Sequence, residues 1–186
     1  KQKKTKTFLN SLYKVPEYKK KDLINEAKLF VDWYIPYKKK KYNNKTTKKI
    51  FNNIVKELVG KLKFPNKTFV HRDFHISNIM FKNRKFFLID NQDAVYGNIT
   101  YDLASLIDDV RFKTSNSFKK KILAYFLKKK SKKNNKQNLV HDFRILSVLR
   151  NLKIIGIFTR LAKRDKKTKY LKLIPYCWKL IDNRVG

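Results

Sequence analysis

His71, Asp73 and Asn78 stand in the spacing H-x-D-x-x-x-x-N, and Asp90 follows Asn78 by twelve residues at the end of the apolar run Phe86-Phe87-Leu88-Ile89. These residue types suit one chemistry. Phosphoryl transfer asks little covalent work of a protein: a carboxylate takes the proton of the acceptor hydroxyl, and two oxygen ligands hold Mg²⁺ against the phosphates of ATP. Asp73 supplies the base, and Asn78 and Asp90 supply the ligands. Around them the charge pattern changes. The 25 positions from Phe86 to Val110 contain no Lys or Arg, in a chain that carries 47, and they hold Asp90, Asp93, Asp102, Asp108 and Asp109. A pocket for a divalent cation needs such a concentration of hard oxygen donors.

Several elements must position these groups. Thr68-Phe69-Val70 reads as a short strand leading to His71. Asn83 and Arg84 read as the turn of a hairpin between Ile79 to Phe81 and Phe86 to Ile89, which carries Asp90 back beside the loop that bears Asp73. Tyr101 to Val110 reads as a helix with Asp102 near its N-terminus, where the helix dipole favours a carboxylate and where it can accept from the loop backbone or from His71. His71 reads as a supporting group. His75 reads either as a contact to phosphate or acceptor or as packing, and Asp93 either as a steering charge or as surface.

Upstream, Leu23, Ala27, Phe30 and Tyr34 recur on one helical face, with Asp22 placed to cap it. Glu26 and Trp33 on that helix can serve a sugar by hydrogen bonding and ring stacking, or be surface charge and core. A second helix is expected from Thr47 to Leu62, with Thr46 or Thr47 as its cap and Ile50, Ile54, Leu58 and Leu62 on one side. Downstream, Phe118, Ile122, Tyr125 and Phe126 predict a helix, and Lys128 to Asn138 a polar connection. Leu139 to Ala162 predicts a long helix with Phe143, Leu146, Leu149, Leu152 and Ile155 on its core side. A last helix carries Tyr170 to Trp178, with Pro175 as a kink. Phe158 and Trp178 read as core.

The segments HRDFHISNIM, LIDNQDAVYGNITYDLASLI and RNLKIIGIFTRLAKRD resemble the aminoglycoside phosphotransferase and choline kinase-like enzymes. Within them they are most similar to the bacterial amino-sugar kinases that phosphorylate N-acetylmuramate and N-acetylglucosamine at the anomeric hydroxyl. The resemblance covers residues 20 to 182 and implies a fold: α+β but predominantly helical, the C-terminal lobe of a protein-kinase-like enzyme with a small β-hairpin. It implies residues 1–21 as a lead-in after a missing N-lobe and residues 22–186 as the C-lobe with catalytic loop and metal site. It also implies that KDLINEAKLFVDWYIPY is the helix that helps form the acceptor pocket. Asn91, after Asp90, stands where that family usually has an aromatic residue. The Gly-rich loop and strand lysine that cover ATP phosphates in such folds are absent, since the four glycines are unclustered, so those parts are expected upstream.

Composition sets the remaining bounds. A length of 186 residues suffices for one domain with a core or one large lobe. A formal charge of +33 would ordinarily suggest nucleic acid or an anionic membrane. The lysine runs at 19–21, 38–41, 119–121 and 128–130 are scattered, however, and Lys, Asn, Ile, Phe and Tyr are abundant together, as AT-rich coding produces; a solvated surface is the expectation, and specific nucleic-acid binding is not. The rival reading is a catalytically dead basic module that holds nucleic acid or anionic lipid. Choline and aminoglycoside kinases remain alternatives within the enzyme class. Cys177 stands alone, and neither a signal peptide nor an 18-residue apolar run occurs, so the expectation is a cytoplasmic enzyme off the membrane whose partners are a nucleotide and a small-molecule acceptor.

Overall fold

The computed structural model describes residues 4–6, 12–131 and 135–185. Strands β1 (Lys4–Lys6) and β2 (Leu12–Lys14) pair antiparallel. The lead-in expectation for residues 1–3 and 7–11 lies outside the described residues. Its end is firmly attached: Tyr18 is core, 3% exposed, and its backbone N–H donates to the Tyr96 carbonyl at 2.7 Å.

Helix α1 (Lys20–Leu29) starts three residues before the expected point, with Lys19 rather than Asp22 at the N-cap position. Asp22 acts from inside the first turn, its Oδ2 accepting the Lys19 backbone N–H at 2.9 Å. The helix then widens into a π-helical segment, Phe30–Tyr34, and resumes as α2 (Ile35–Lys38). The bulge begins where the helix that bears Gly156 passes close against the backbone of α1. A Cβ on Gly156 would lie 2.3 Å from the Leu29 carbonyl carbon, so only glycine fits there. Gly156→Ala should cost about 1–3 kcal/mol by overpacking, read as a lower denaturation midpoint at constant slope.

Helix α3 (Lys45–Gly60) is capped by Asn44, whose side chain accepts the Thr47 N–H at 2.8 Å; Thr46 and Thr47 sit within its first turn. The expected apolar side is corrected. Val55 and Val59 are buried with Phe51 and Leu58 packed beside them, while Ile50 and Ile54 are 55% and 51% exposed. The helix carries two apolar stripes, and periodicity alone cannot say which one meets α1.

Strand β3 (Thr68–Val70) pairs antiparallel with β6 (Val95–Gly97), and β4 (Ile79–Lys82) pairs with β5 (Lys85–Leu88) as the expected hairpin. Asn83 and Arg84 both take positive φ, 50° and 59°, the backbone that matches a tight hairpin to strand twist. The hairpin is apolar and open: Met80, Phe81, Phe86, Phe87, Leu88 and Ile89 are all at least 46% exposed.

Helix α4 (Tyr101–Ile107) is three residues shorter than expected. Helix α5 (Asn116–Lys130) keeps its three terminal lysines helical, and α6 (Lys136–Arg164) begins before Leu139, so the expected polar connection is much shorter; residues 132–134 lie outside the described residues. Helix α6 is the spine. Phe143, Leu146, Leu149 and Ile155 are each 3% exposed or less, and they join the cores beneath α1, α4 and α7 (Ile174–Val185). Pro175 does not kink α7. It occupies the first turn, where a missing N–H costs nothing. Phe158 is 1% exposed and Trp178 packs in the same core, as expected.

Among the described residues the elements are mainly helical with short antiparallel strand pairs, which is the expected class.

Candidate active site

The loop from His71 to Asn78 connects β3 to the hairpin, and its shape is fixed by carboxylates outside it. Asp102, at the start of α4, accepts the backbone N–H of His71 at 2.7 Å and of Arg72 at 3.1 Å. Asp109, just past the end of α4, accepts that of Ile76 at 3.1 Å. One short helix thus grips the loop at both ends. Burial holds the Asp102 carboxyl above its ordinary pKa despite the two amide donors.

His71 is 3% exposed, and its Nε2 lies 2.9 Å from the Ile89 carbonyl, immediately before Asp90. The Ile89 N–H in turn donates to the Asn78 carbonyl at 3.1 Å, so the hairpin's return strand is fastened to the loop twice. Asn78 Nδ2 donates to the Asp73 carbonyl at 3.0 Å and lies 3.4 Å from Asp90 Oδ2. Asp73, Asn78 and Asp90 therefore share one small region. Both Arg72 and Asp90 take positive φ, 71° and 65°, a costly backbone for residues with a side chain and one that clusters at sites. At Asn91, where an aromatic was expected, the turn is closed by polar contact instead: Gln92 Nε2 donates to Asp90 Oδ1 at 2.6 Å.

The other sequence candidates divide. Glu26 is engaged by protein groups on both oxygens: Arg72 at 2.5 Å on one, and Lys153 at 2.9 Å with the Tyr18 hydroxyl on the other. It ties α1, the loop and α6 together, and a sugar would have to compete with two cations for it. Burial alone would raise its pKa, but Lys153, the Tyr18 hydrogen bond and Arg72 together hold it below the ordinary carboxylate value. With the folded value below the unfolded one, its stabilisation is present above about pH 4.3 and is lost as pH falls through the folded value. Glu26→Gln should therefore flatten the acid limb of a Tm-versus-pH curve.

Trp33 lies half-buried in the π-helical segment. Asp93 is exposed, and its carbonyl accepts from Arg72 Nη1 at 3.4 Å. His75 is half-buried; burial, Arg111 and Arg150 hold its pKa down against Asp109 and Asp73, which favours a neutral imidazole.

The acidic run is not one metal pocket. Asp108 is fully buried and bound by Arg184, Lys119 and Ser147, and Asp102 and Asp109 are spent on backbone amides. Among the described residues no group of three or more His, Cys, Asp or Glu can hold a metal. Cys177 is fully buried, its thiol pushed up to about 12 by burial, so it is inert packing.

Sequence reasoning missed Asp109 as a loop clamp, Arg72 and Lys153 as partners of Glu26, and Asp142. Asp142 on α6 accepts the N–H groups of Lys63 and Phe64 and the Asn98 amide at 2.7 Å, pinning the entries to β3 and α4. No local pattern marks such long-range pairs.

A family model described as "phosphotransferase enzyme family" matches residues 14–154, which take in the whole loop, the hairpin and α4. The chain belongs to that family. Curated relatives named N-acetylmuramate/N-acetylglucosamine kinase are similar to it: one from Neisseria meningitidis serogroup B at 31% identity, over 87% of this chain and 50% of its own length. Another, from Pseudomonas aeruginosa, is 28% identical over 92% of this chain and 52% of its own length. The chain spans about half the length of the curated relatives it matches. Among the described residues no helix is long and apolar enough to cross a membrane.

Proposed function

We propose that the protein to which this chain belongs is a kinase that transfers the γ-phosphoryl group of ATP to a hydroxyl of an amino sugar such as N-acetylmuramate or N-acetylglucosamine. The observation that supports this reading is the Asn78 amide, 3.0 Å from the Asp73 carbonyl and 3.4 Å from Asp90 Oδ2, which brings Asp73, Asn78 and Asp90 into one small region. The Asp73 carboxylate takes the hydroxyl proton as that oxygen bonds to phosphorus, and the bond to the leaving ADP oxygen breaks. Asn78 and Asp90 fit Mg²⁺. Because Asn78 Nδ2 is committed to a carbonyl, its Oδ1 is left as a ligand, and an ion that keeps waters and binds substrate phosphates needs only such a pair. When bound, the ion neutralises charge on the phosphates. His71 and Asp102 hold the loop in place for these roles.

The acceptor follows from the relatives' names and from charge. In a chain of +33, a cationic aminoglycoside or choline meets long-range repulsion that a neutral or anionic sugar does not. The remaining half of the relatives' length would supply the phosphate-covering lobe, and the open apolar hairpin offers it a seat. We place the enzyme in the cytoplasm, with ATP and a reduced Cys177.

The test is ADP formation by the full-length protein with MgATP against N-acetylmuramate, N-acetylglucosamine, choline and kanamycin. Turnover on an amino sugar is expected. Turnover only on choline or kanamycin would replace the acceptor while leaving the phosphotransfer site standing. Asp90→Ala should weaken Mg²⁺-dependent nucleotide binding as well as turnover, measured by calorimetry with and without the ion.

A further inference from the structure

Arg150, on α6, is 5% exposed, yet within the described residues it makes no hydrogen bond or ion pair, and its Nη1 is enclosed without a partner. A buried guanidinium cannot shed its charge and is costly without a counter-charge. The fold offers it none. Asp102 is taken by the amides of His71 and Arg72, Asp109 by those of Ile76 and Arg111, and Asp108 by Arg184, Lys119 and Ser147. Lys153, one turn further along the same helix, is matched by Glu26.

The position of the unmatched charge is informative. Arg150 acts electrostatically on His75 in the catalytic loop and on Asp102, which clamps that loop, and Arg111 reaches His75 from the exposed rim. His75 Nδ1 is itself enclosed without a partner. An unsatisfied guanidinium nitrogen and an unsatisfied ring nitrogen therefore accompany the loop that carries Asp73. The Asn78 and Asp90 pair, where phosphates are expected, is built of oxygen ligands for a cation and needs no guanidinium. The planar fork of arginine suits a carboxylate, which it binds through two parallel hydrogen bonds.

We propose that Arg150 is the residue that recognises a carboxylate carried by the acceptor, with His75 as a second donor. This rests on the amino-sugar reading above. The relatives' name pairs two acceptors that differ in this respect: N-acetylmuramate bears a lactyl carboxylate and N-acetylglucosamine does not. With the first, Arg150 gains its counter-charge. With the second, it gains none.

The experiment compares kcat/KM of the full-length protein and its Arg150→Met and Arg150→Lys variants on the two sugars. Loss of a charge-assisted hydrogen-bonded pair should lower kcat/KM for N-acetylmuramate by about 10- to 100-fold, mainly through KM, with N-acetylglucosamine nearly unaffected and Lys recovering part of the loss. Equal losses on both sugars would assign Arg150 to the phosphoryl group or to packing and overturn the proposal; so would no loss on either. Turnover of neither sugar by the unaltered protein would remove the amino-sugar reading itself, a separate result seen before any variant is made. Should Arg150→Met fail to fold, Arg150→Gln, which keeps polar bulk without charge, gives the same ratio.

Discussion

Asp73→Asn in the full-length protein should reduce kcat by roughly 10²- to 10⁴-fold while leaving MgATP affinity nearly unchanged. The amide fills the same space, and the contact that organises the site uses the Asp73 backbone carbonyl, which the substitution keeps. What disappears is the proposed acceptor for the hydroxyl proton. Single-turnover kinetics together with nucleotide titration separate the two effects. A large loss of nucleotide binding, with chemistry spared, would contradict the role of Asp73 as base. The contrast with Asp90→Ala is sharp, because that change removes a proposed ligand and should cost ion-dependent binding first.

The second large effect concerns stability. Asp108 is fully buried, and its carboxylate takes Arg184 at 2.7 Å and Lys119 at 3.4 Å, whose side chains are only 16% and 9% exposed. Asp108→Ala strands two cations and should cost about 3–5 kcal/mol, read by denaturant unfolding of the full-length protein. A triple change of Asp108→Leu with Arg184→Met and Lys119→Met should recover much of that, because apolar residues of similar volume avoid the desolvation cost. If the single and triple variants were equally unstable, the loss would come from packing rather than from stranded charge.

The placement of the candidate site residues is easier to read in this sequence than their supports. The spacing of His71, Asp73, Asn78 and Asp90, the turn at Asn83 and Arg84, and the position of Asp102 at the start of a helix are local patterns, and the structure has the turn and brings the first four residues and Asp102 around one loop. Asp102 was legible because a carboxylate at a helix start has a local reason to be there. Asp109 and Asp142 were not, since each acts on backbone far away in the chain, Asp142 on residues 78 and 79 positions distant. The acidic run misled for the same reason: five carboxylates in sequence suggest one ion, but Asp102, Asp108 and Asp109 each answer to a different set of donors. Glu26 reads in the sequence as a sugar contact or as surface charge, because Arg72 and Lys153, its partners, come from other elements. Ile50 and Ile54 satisfied the helical period and still faced outward, as the choice between two stripes is made by tertiary packing.

The open hairpin gives this chain two opposed colloidal tendencies. Met80, Phe81, Phe86, Phe87, Leu88 and Ile89 form a strip that invites self-association, and a charge of +33 keeps copies apart. The balance is set by ionic strength, because the screening length shrinks from about 10 Å at 0.1 M salt to about 3 Å at 1 M. The chain on its own should therefore stay monodisperse in dilute buffer and cluster as salt rises, the reverse of the behaviour of proteins held together by ion pairs. Light scattering along a salt gradient would show it, and a charge on the strip, as in Phe86→Glu, should move the onset to higher salt.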